Sequence, residues 1–324
     1  MQAIRRSFQT QELSEQAIEM LLKGWSTGTK KQYEPYIAKF LRYCTERCLD
    51  PFQASVSTVV EFLVHMFHDT GVKYSAINTA RSALSSFLPP IGGVTVGNHP
   101  LVKRLMRGVF KERPALPKYI NTYDVDVVLR YLDKLGPANS LPINRLTERL
   151  ATLLCILSGQ RDQTLQFIDV RNIFQTETSC TIVIGELIKN TRPGFHVDPL
   201  KFTTYNNENI CVIANMRSYM TRTFGWRGVL VQLLISMETY QPVTASTIGR
   251  WVKKTLGYAG IDIKTFSAHS TRSASTSKAK AIGVTLKDIC KAAGWSNART
   301  FAKHYDKQIE QCYSTSVLET HKSL

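Results

Sequence analysis

The hydrophobic pattern of residues 14–112 predicts helices only. Apolar side chains recur there at spacings of three and four, as on the buried face of an amphipathic helix. Pro89-Pro90 ends the third helix, and serine or threonine is a favoured N-cap residue. We expect four helices: one after the Thr27-Gly28-Thr29 turn, one from about Thr58, one capped near Ser75 and one after Pro100.

The pattern changes after residue 118. Helices are expected near 122–135 and 144–158. The β-branched run at 180–184 then predicts a strand, with a turn at 190–194 and a return strand within 195–202. Helices resume at about 210–223 and 246–258 and continue to the C-terminus. The fold class expected is mainly α with a small antiparallel β-sheet or hairpin.

One segment reads as a linker between two domains. Arg113-Pro114-Ala115-Leu116-Pro117-Lys118 combines two prolines with two cations, which suits an extended and semi-rigid connection. We therefore predict a helical domain over residues 1–113, a linker over 114–118 and a second domain over 119–324.

Composition and charge narrow the class of protein. Hydrophobic residues make up 43% and charged residues 20%, as in a soluble globular chain, and no apolar run approaches the roughly 18 residues of a membrane span. The N-terminus lacks the apolar stretch of a signal peptide. The 41 Lys and Arg outnumber the 25 Asp and Glu, and both predicted domains are basic. This balance favours a nucleic-acid partner.

Cysteine usage points to a reducing compartment. The seven cysteines form no CxxC and no cluster with zinc spacing. Cys44 and Cys48 are predicted to pack in the core on one helical face.

Two positively charged side chains stand at unusual places in the second domain. Arg161 follows an apolar helix and Gly159, so it is either a surface residue or a charge held in a cleft. Lys189 lies where the first strand enters its turn, where solvated lysines are frequent.

Candidate chemistry continues in the C-terminal part. His269 and Arg272 are three residues apart at the start of a predicted helix, so they can converge on an anion. Trp295 follows Gly294, and Tyr305 ends a short helix. When each is considered alone, both aromatic residues are better interpreted as core residues.

The order and spacing of these residues resemble the tyrosine recombinases, or phage-integrase-type recombinases. The matching fragments are "SGQR" at 158–161, "IKNTRPG" at 188–194, "HSTR" at 269–272, "AGW" at 293–295 and "FAKHY" at 301–305. The sequence of these motifs is most similar to that of recombinases of DIRS-like eukaryotic mobile elements. The helical block that begins at "STGTKKQY" resembles the core-binding (SAM-like) domain of the family. Two positions depart from common family patterns: Thr164 replaces an acidic residue, and Tyr305 stands ten residues after Trp295.

The resemblance implies a metal-independent and ATP-independent breaking and joining of DNA through a 3′-phosphotyrosyl link, with no cofactor. Tyr305 would be the nucleophile, with Tyr313 as the alternative. His269 would be the general base and Lys189 the general acid. The phosphate ligands would be Arg161, Arg272, His269 and Trp295.

The partner expected is double-stranded DNA, with no membrane. The resemblance implies four protomers around two duplexes, with the segment after Tyr313 as a docking arm, and a role in integrating a mobile element in the nucleus, or in the cytoplasm if the source is not eukaryotic. Candidate DNA contacts are Lys30, Lys73, Tyr74, Asn78, Arg81, Lys103, Arg104, Arg107, Arg250, Lys253 and Lys254.

Three alternatives stay open on the sequence. The chain could be a non-catalytic DNA-binding protein derived from a recombinase, or a type IB topoisomerase. It could also be a helical scaffold that binds only protein.

Overall fold

A computed structural model describes residues 2–9, 11–115 and 119–309 of the chain. The chain divides into two compact units, unit 1 (Met1–Pro117) and unit 2 (Lys118–Leu324). Among the described residues, none of the helices combines the length and the apolar character needed to cross a membrane.

Unit 1 is built from helices, because its apolar side chains recur on one face of each. Three T-shaped contacts of Phe40 and Tyr43 with Phe62 and Phe87 organise its core. The helices in the described part of this unit are α1 (Gln2–Gln9), α2 (Glu15–Lys23), α3 (Thr27–Glu46), α4 (Val56–Asp69), α5 (Tyr74–Phe87) and α6 (Pro100–Glu112).

Local hydrogen bonding corrects two predicted helix starts. The Thr27-Gly28-Thr29 segment is the first turn of α3 rather than a turn before it, because the Ser26 side chain accepts from the Thr29 N–H. Ser75 lies inside α5, whose N-cap is Lys73 without a side-chain hydrogen bond. The prediction for Cys48 is also wrong. Because α3 ends at Glu46, Cys48 takes a positive φ of 53° and is exposed, whereas Cys44 is buried.

Unit 2 contains helices around one strongly buried helix. Twelve of the sixteen residues of α8 are buried, so α8 packs on several sides at once. It contacts α10, α11 and α12. The helices described here are α7 (Val125–Lys134), α8 (Ile143–Ser158), α9 (Asp162–Gln166), α10 (Val212–Arg227), α11 (Ala245–Tyr258), α12 (Ser270–Ala281), α13 (Leu286–Ala293) and α14 (Ala298–His304).

A three-stranded antiparallel sheet completes unit 2, in the order β1 (Ile173–Gln175), β2 (Ser179–Ile182), β3 (Leu200–Thr203). Ile182 pairs with Ile173 on one side and with Leu200 on the other. Cys180 and Ile182 of β2 and Leu200 and Phe202 of β3 are buried in the core. The predicted fold class, mainly α with a small antiparallel sheet, is confirmed, and the sheet has one more strand than the hairpin that the sequence indicated.

Candidate functional site

Arg161 owes its position to the end of α8. Gly159 takes a left-handed conformation with φ of 61°, which ends the helix. A Cβ at Gly159 would lie 3.4 Å from Thr276 of α12, so the chain passes close to that helix. Arg161 then forms the N-cap of α9 and is half-buried. The arginine is therefore held at the edge of the packed interior beside α12.

His269 and Arg272 lie at the first turn of α12. Ser270 is the first residue of the helix, and His269 is the N-cap residue. The Arg272 side chain is 2% exposed, and its Nη2 donates to the Ala293 carbonyl. His269 is exposed, although protein packs close enough to its ring to desolvate it in part.

Trp295 and Tyr305 are brought to the same place by two short helices. Gly294 ends α13 with φ of 65°, and Trp295 follows it directly. The Asn297 side chain caps α14 through the Thr300 N–H, and Tyr305 is the C-cap residue. The Trp295 and Tyr305 rings lie 4.5 Å apart, and the Tyr305 hydroxyl lies 3.5 Å from His269 Nε2. A phenol and an imidazole therefore meet at near hydrogen-bond distance.

Positive charge surrounds this pair. The Arg272 guanidinium lies 4.5 Å from the Trp295 ring centroid and 5.4 Å from that of Tyr305. Burial lowers the pKa of His269 below its ordinary value, and the charges of Arg272, Arg161 and Lys189 lower it further. All three cations thus act on His269, although Lys189 is itself exposed on the β2–β3 connection.

Burial also lowers the pKa of Arg272, and the charge of Arg161 lowers it further, whereas Tyr305 raises it. Two neighbouring guanidinium groups in a desolvated place repel each other, which is costly without a negative partner. An anion bound between them would remove this repulsion.

Three buried donors of the site have no acceptor among the residues that the structure describes: Arg272 Nε, Arg272 Nη1 and Trp295 Nε1. Buried polar groups are nearly always hydrogen-bonded, so an unpartnered group calls for a specific explanation. Three such donors on two stacked side chains suit an oxyanion with several acceptor atoms, such as a phosphate.

All six predicted catalytic residues are thus placed around one point of unit 2. Tyr305 lies against His269, Trp295 and Arg272, and the Arg272 guanidinium also lies over the Trp295 ring. Arg161 and Lys189 join them through their electrostatic effect on His269. Tyr313, the alternative nucleophile, and the proposed docking arm lie outside the described residues.

The candidate DNA contacts divide by exposure and by partner. In unit 1, Lys73, Lys103, Arg104 and Arg107 are exposed, and Lys30, Asn78 and Arg81 are half-buried. Tyr74 packs edge-on against Phe110 at 5.4 Å, so its ring is partly occupied.

In unit 2, Arg250 and Lys253 are exposed on α11. Lys254 is engaged within the protein, because its Nζ lies 2.7 Å from the buried Glu148 carboxylate. Lys254 therefore has less free charge to offer DNA than Lys253 has.

Sequence reasoning missed Tyr119 as a neighbour of this site. Tyr119 is half-buried, and burial raises the pKa of its phenol, whereas a hydrogen bond to Ser270 lowers it and Tyr305 raises it. Lys307, two residues after Tyr305, donates to the Tyr119 carbonyl at 2.7 Å. No motif marks Tyr119, because its role comes from packing against residues far away in the chain.

Comparisons with known proteins agree with this architecture. Residues 12–91 match the family model described as phage integrase, N-terminal SAM-like domain. No curated protein matches the chain at a significant level.

Solved structures of similar fold extend the match over both units. The XerH site-specific recombinase, bound to a palindromic difH substrate in a post-cleavage complex, has 15% sequence identity and a TM-score of 0.61. That match covers 91% of this chain and 79% of XerH. A lambda integrase dimer bound to a COC′ core site has 16% identity, covers 90% of this chain and 75% of the integrase, and gives a TM-score of 0.51.

The integrase of the Tn1549 transposon, in complex with circular intermediate DNA, has 15% identity and a TM-score of 0.50, with 83% of this chain and 85% of the integrase covered. At these identities the likeness establishes the fold. The chain has the fold of the tyrosine recombinases, with a phage-integrase-type N-terminal domain.

Proposed function

We propose that this chain is a site-specific DNA recombinase of the tyrosine recombinase type, which cleaves and rejoins DNA strands through a covalent link to Tyr305. One observation carries the proposal. The Tyr305 hydroxyl lies 3.5 Å from His269 Nε2, beside three buried donors on Arg272 and Trp295 that lack acceptors among the described residues. A nucleophile, a base and buried donors for an oxyanion are the parts that phosphoryl transfer requires.

The phosphate would be held by the donors that have no protein acceptor. The transition state of an attacked phosphodiester carries more charge on its non-bridging oxygens than the ground state does. Arg161 and Arg272 can bind these oxygens with two N–H groups each, and Trp295 Nε1 adds a further donor. Because Arg272 and Trp295 are buried, their donors are worth more there than in water.

Proton transfer is assigned to His269 and Lys189. Phenols ordinarily titrate near pH 10, so a tyrosine nucleophile needs a proton acceptor, and the lowered pKa of His269 keeps its ring neutral and able to accept. Lys189 would donate a proton to the leaving 5′ oxygen. The bond to Tyr305 then replaces the broken P–O bond, which leaves a 3′-phosphotyrosyl link and a free 5′ hydroxyl.

DNA as the partner is supported by charge and by the similar structures. Unit 1 and unit 2 both carry an excess of basic side chains, and XerH and lambda integrase are bound to DNA in the structures that this chain resembles. Exposed Lys103, Arg104 and Arg107 on α6 and Lys253 on α11 are the side chains that we assign to the DNA backbone.

We further propose that the reaction serves the integration of a mobile element, as in the DIRS-like group that the motif wording resembles. The structural match to a transposon integrase supports a role in a mobile element. In that setting the protein would act in the nucleus, as four protomers on two duplexes.

The test is a cleavage assay on a suicide substrate, which has a nick close to the scissile phosphate. Cleavage then releases a short fragment that carries the free 5′ hydroxyl, and this fragment diffuses away before it can be rejoined. Pooled DNA from the termini flanking the gene supplies candidate sites. We expect a covalent protein–DNA adduct that survives denaturation and maps to the Tyr305 peptide by mass spectrometry.

Two other outcomes would contradict the proposal. DNA binding without adduct on any flanking sequence would identify a non-catalytic DNA-binding protein. Relaxation of supercoils without strand exchange would identify a topoisomerase.

The pKa of His269 leads to an expected pH dependence. His269 accepts a proton only when neutral, and its lowered pKa keeps it neutral at a pH where an ordinary imidazole is protonated. The value of kcat/KM for cleavage, which reports the free enzyme, should therefore fall with decreasing pH only below about 6.5, the ordinary histidine value. Cleavage rates at subsaturating DNA, from about pH 5 to pH 8, measure this.

A matched control for the pH experiment is His304→Gln, because His304 is the histidine next to Tyr305 in the chain and carries no assigned role. This variant should keep the acidic limb of the profile, and His269→Gln should lose it. An inflection at or above the ordinary histidine value would reject His269 as the base.

A further inference from the structure

Three consecutive main-chain carbonyls at the C-terminal end of α13, those of Ala292, Ala293 and Gly294, form what we call the carbonyl cluster. The last carbonyls of a helix lack partners within the helix and remain free to accept hydrogen bonds. They also lie at the negative end of the helix dipole, which favours donors and cations. Trp295 follows the carbonyl cluster directly in the chain.

Each carbonyl accepts a side-chain hydrogen bond from a different catalytic segment. Gln160 Nε2 donates to Ala292 at 2.5 Å, and Asn190 Nδ2 donates to Gly294 at 2.9 Å. Arg272 Nη2 donates to Ala293, between them. Gln160 and Asn190 immediately precede Arg161 and follow Lys189, respectively.

The Gln160 amide is held in one orientation by its own neighbours. Gln160 is 4% exposed, and its Oε1 accepts from the Thr164 hydroxyl at 3.2 Å. Because Oε1 takes this proton, Nε2 is the atom that faces Ala292. Thr164, at the position where the family often has an acidic residue, therefore acts through Gln160.

Two hydrogen bonds hold the segment around Lys189, one within its turn and one to the carbonyl cluster. The Ile188 N–H donates to the Thr191 hydroxyl at 3.1 Å, which closes a tight turn around Lys189. Asn190 then fixes this turn to Gly294. Gly294 also leaves little room, because a Cβ there would lie 3.3 Å from Val197 of the same connection and 3.6 Å from Gln160 Nε2.

We propose that Gln160 and Asn190 are positioning residues, which hold Arg161 and Lys189 in register with Arg272 and Trp295 through the carbonyl cluster. The inference rests on the proposed function, because it concerns how the same site is assembled. It assigns different steps to the two residues. Gln160 serves the arginine that binds the non-bridging oxygens, and Asn190 serves the lysine that protonates the leaving oxygen.

The leaving group separates the role of Asn190 from that of Gln160 and from a general loss of structure. A substrate with sulfur in place of the 5′ bridging oxygen expels a thiolate. A thiol titrates near pH 8.5, far below an alcohol, so its departure needs no acid. A defect in the placement of Lys189 should disappear on this substrate, whereas a defect in oxyanion binding or in folding should persist.

The expected results follow for three variants. Asn190→Ala should slow cleavage of the oxygen substrate by about 10²-fold, the lower end for general acid catalysis, and cleave the sulfur substrate within about threefold of the unchanged protein. Lys189→Ala should show the same rescue with a larger defect. Gln160→Met, which keeps the buried volume without the donor, should keep the melting temperature of the unchanged protein and be slowed by about 10²-fold on both substrates.

Controls and contrary outcomes complete the experiment. Glu186→Ala, exposed on the same connection as Lys189, should cleave both substrates normally. Should Asn190→Ala lose much activity by unfolding, as shown by its melting temperature, the isosteric Asn190→Asp replaces it. Normal oxygen-substrate cleavage by Asn190→Ala, or an equal defect on both substrates, would overturn the role of Asn190. Normal cleavage by Gln160→Met would overturn that of Gln160.

Failure of the proposed function would look different. A chain with no substitution that cleaves neither substrate would refute the recombinase reaction and this inference together. A chain that cleaves both substrates, with variants that match it, would refute the inference alone.

Discussion

The Tyr305→Phe variant should form no covalent adduct with DNA and should bind DNA as tightly as the unchanged protein. The substitution removes one oxygen, and that oxygen is the proposed nucleophile. The ring itself remains, with its contact to Trp295 at 4.5 Å, and the Ser277 hydroxyl still donates to the main-chain carbonyl of residue 305 at 2.8 Å. The fold and the binding surface should therefore be preserved.

The measurement is the adduct fraction on a suicide substrate, with DNA binding followed by gel retardation. Two other phenols provide controls. Tyr119→Phe removes the hydroxyl that lies near Tyr305 in the structure, and Tyr313→Phe removes the alternative nucleophile of the C-terminal segment. Both variants should still form the adduct. An adduct that persists in Tyr305→Phe would reject the assignment of the nucleophile.

The side chains that meet at the candidate site could be singled out in the sequence because the chemistry proposed for them is specific to residue type. An arginine fork, an imidazole, an indole N–H and a phenol differ in the donors and acceptors that they offer, so few other side chains could fill the roles proposed for them. Their order along the chain is therefore informative even at low overall identity. The structure adds what residue type does not contain, namely that His269 and Tyr305 meet and that Arg272 is almost fully buried.

The carbonyl cluster could not be predicted, because every residue has a main-chain carbonyl. Gln160 and Asn190 acquire their proposed roles only because the fold brings both side chains to the C-terminal end of α13. The strand β1 was missed for a related reason. Three residues, Ile173–Gln175, are too few to show a pattern, and they become a strand only by pairing with β2.

Cys48 and Ser75 show where periodicity misleads. The spacing of Cys48 from Cys44 fits one helical face, but α3 ends before Cys48 and the chain turns outward there. Ser75 is a favoured capping residue, yet α5 begins one residue earlier. Helix ends depend on local backbone geometry. A prediction from residue pattern alone therefore places the end of a helix too early or too late.

Arg272→Met should lose cleavage activity without a loss of stability. Arg272 offers two unpartnered donors to the proposed phosphate, and the loss of one preorganised donor typically costs about 10²–10³ in rate. Cleavage should fall by at least this factor. Arg272→Lys keeps the charge but lacks the planar fork, so it should restore little of the rate.

Stability should respond differently, because the free protein buries this cation at 2% exposure beside Arg161. An unsatisfied buried donor costs about 1–3 kcal/mol, and methionine removes two of them while it leaves one carbonyl, that of Ala293, without its donor. The free energy of unfolding of Arg272→Met should thus stay the same or rise by about 1–3 kcal/mol. Denaturant unfolding without DNA measures this change. A lower free energy of unfolding would show that Arg272 stabilises the fold, whereas a gain would show that the site keeps an unfavourable buried charge because the phosphate needs it.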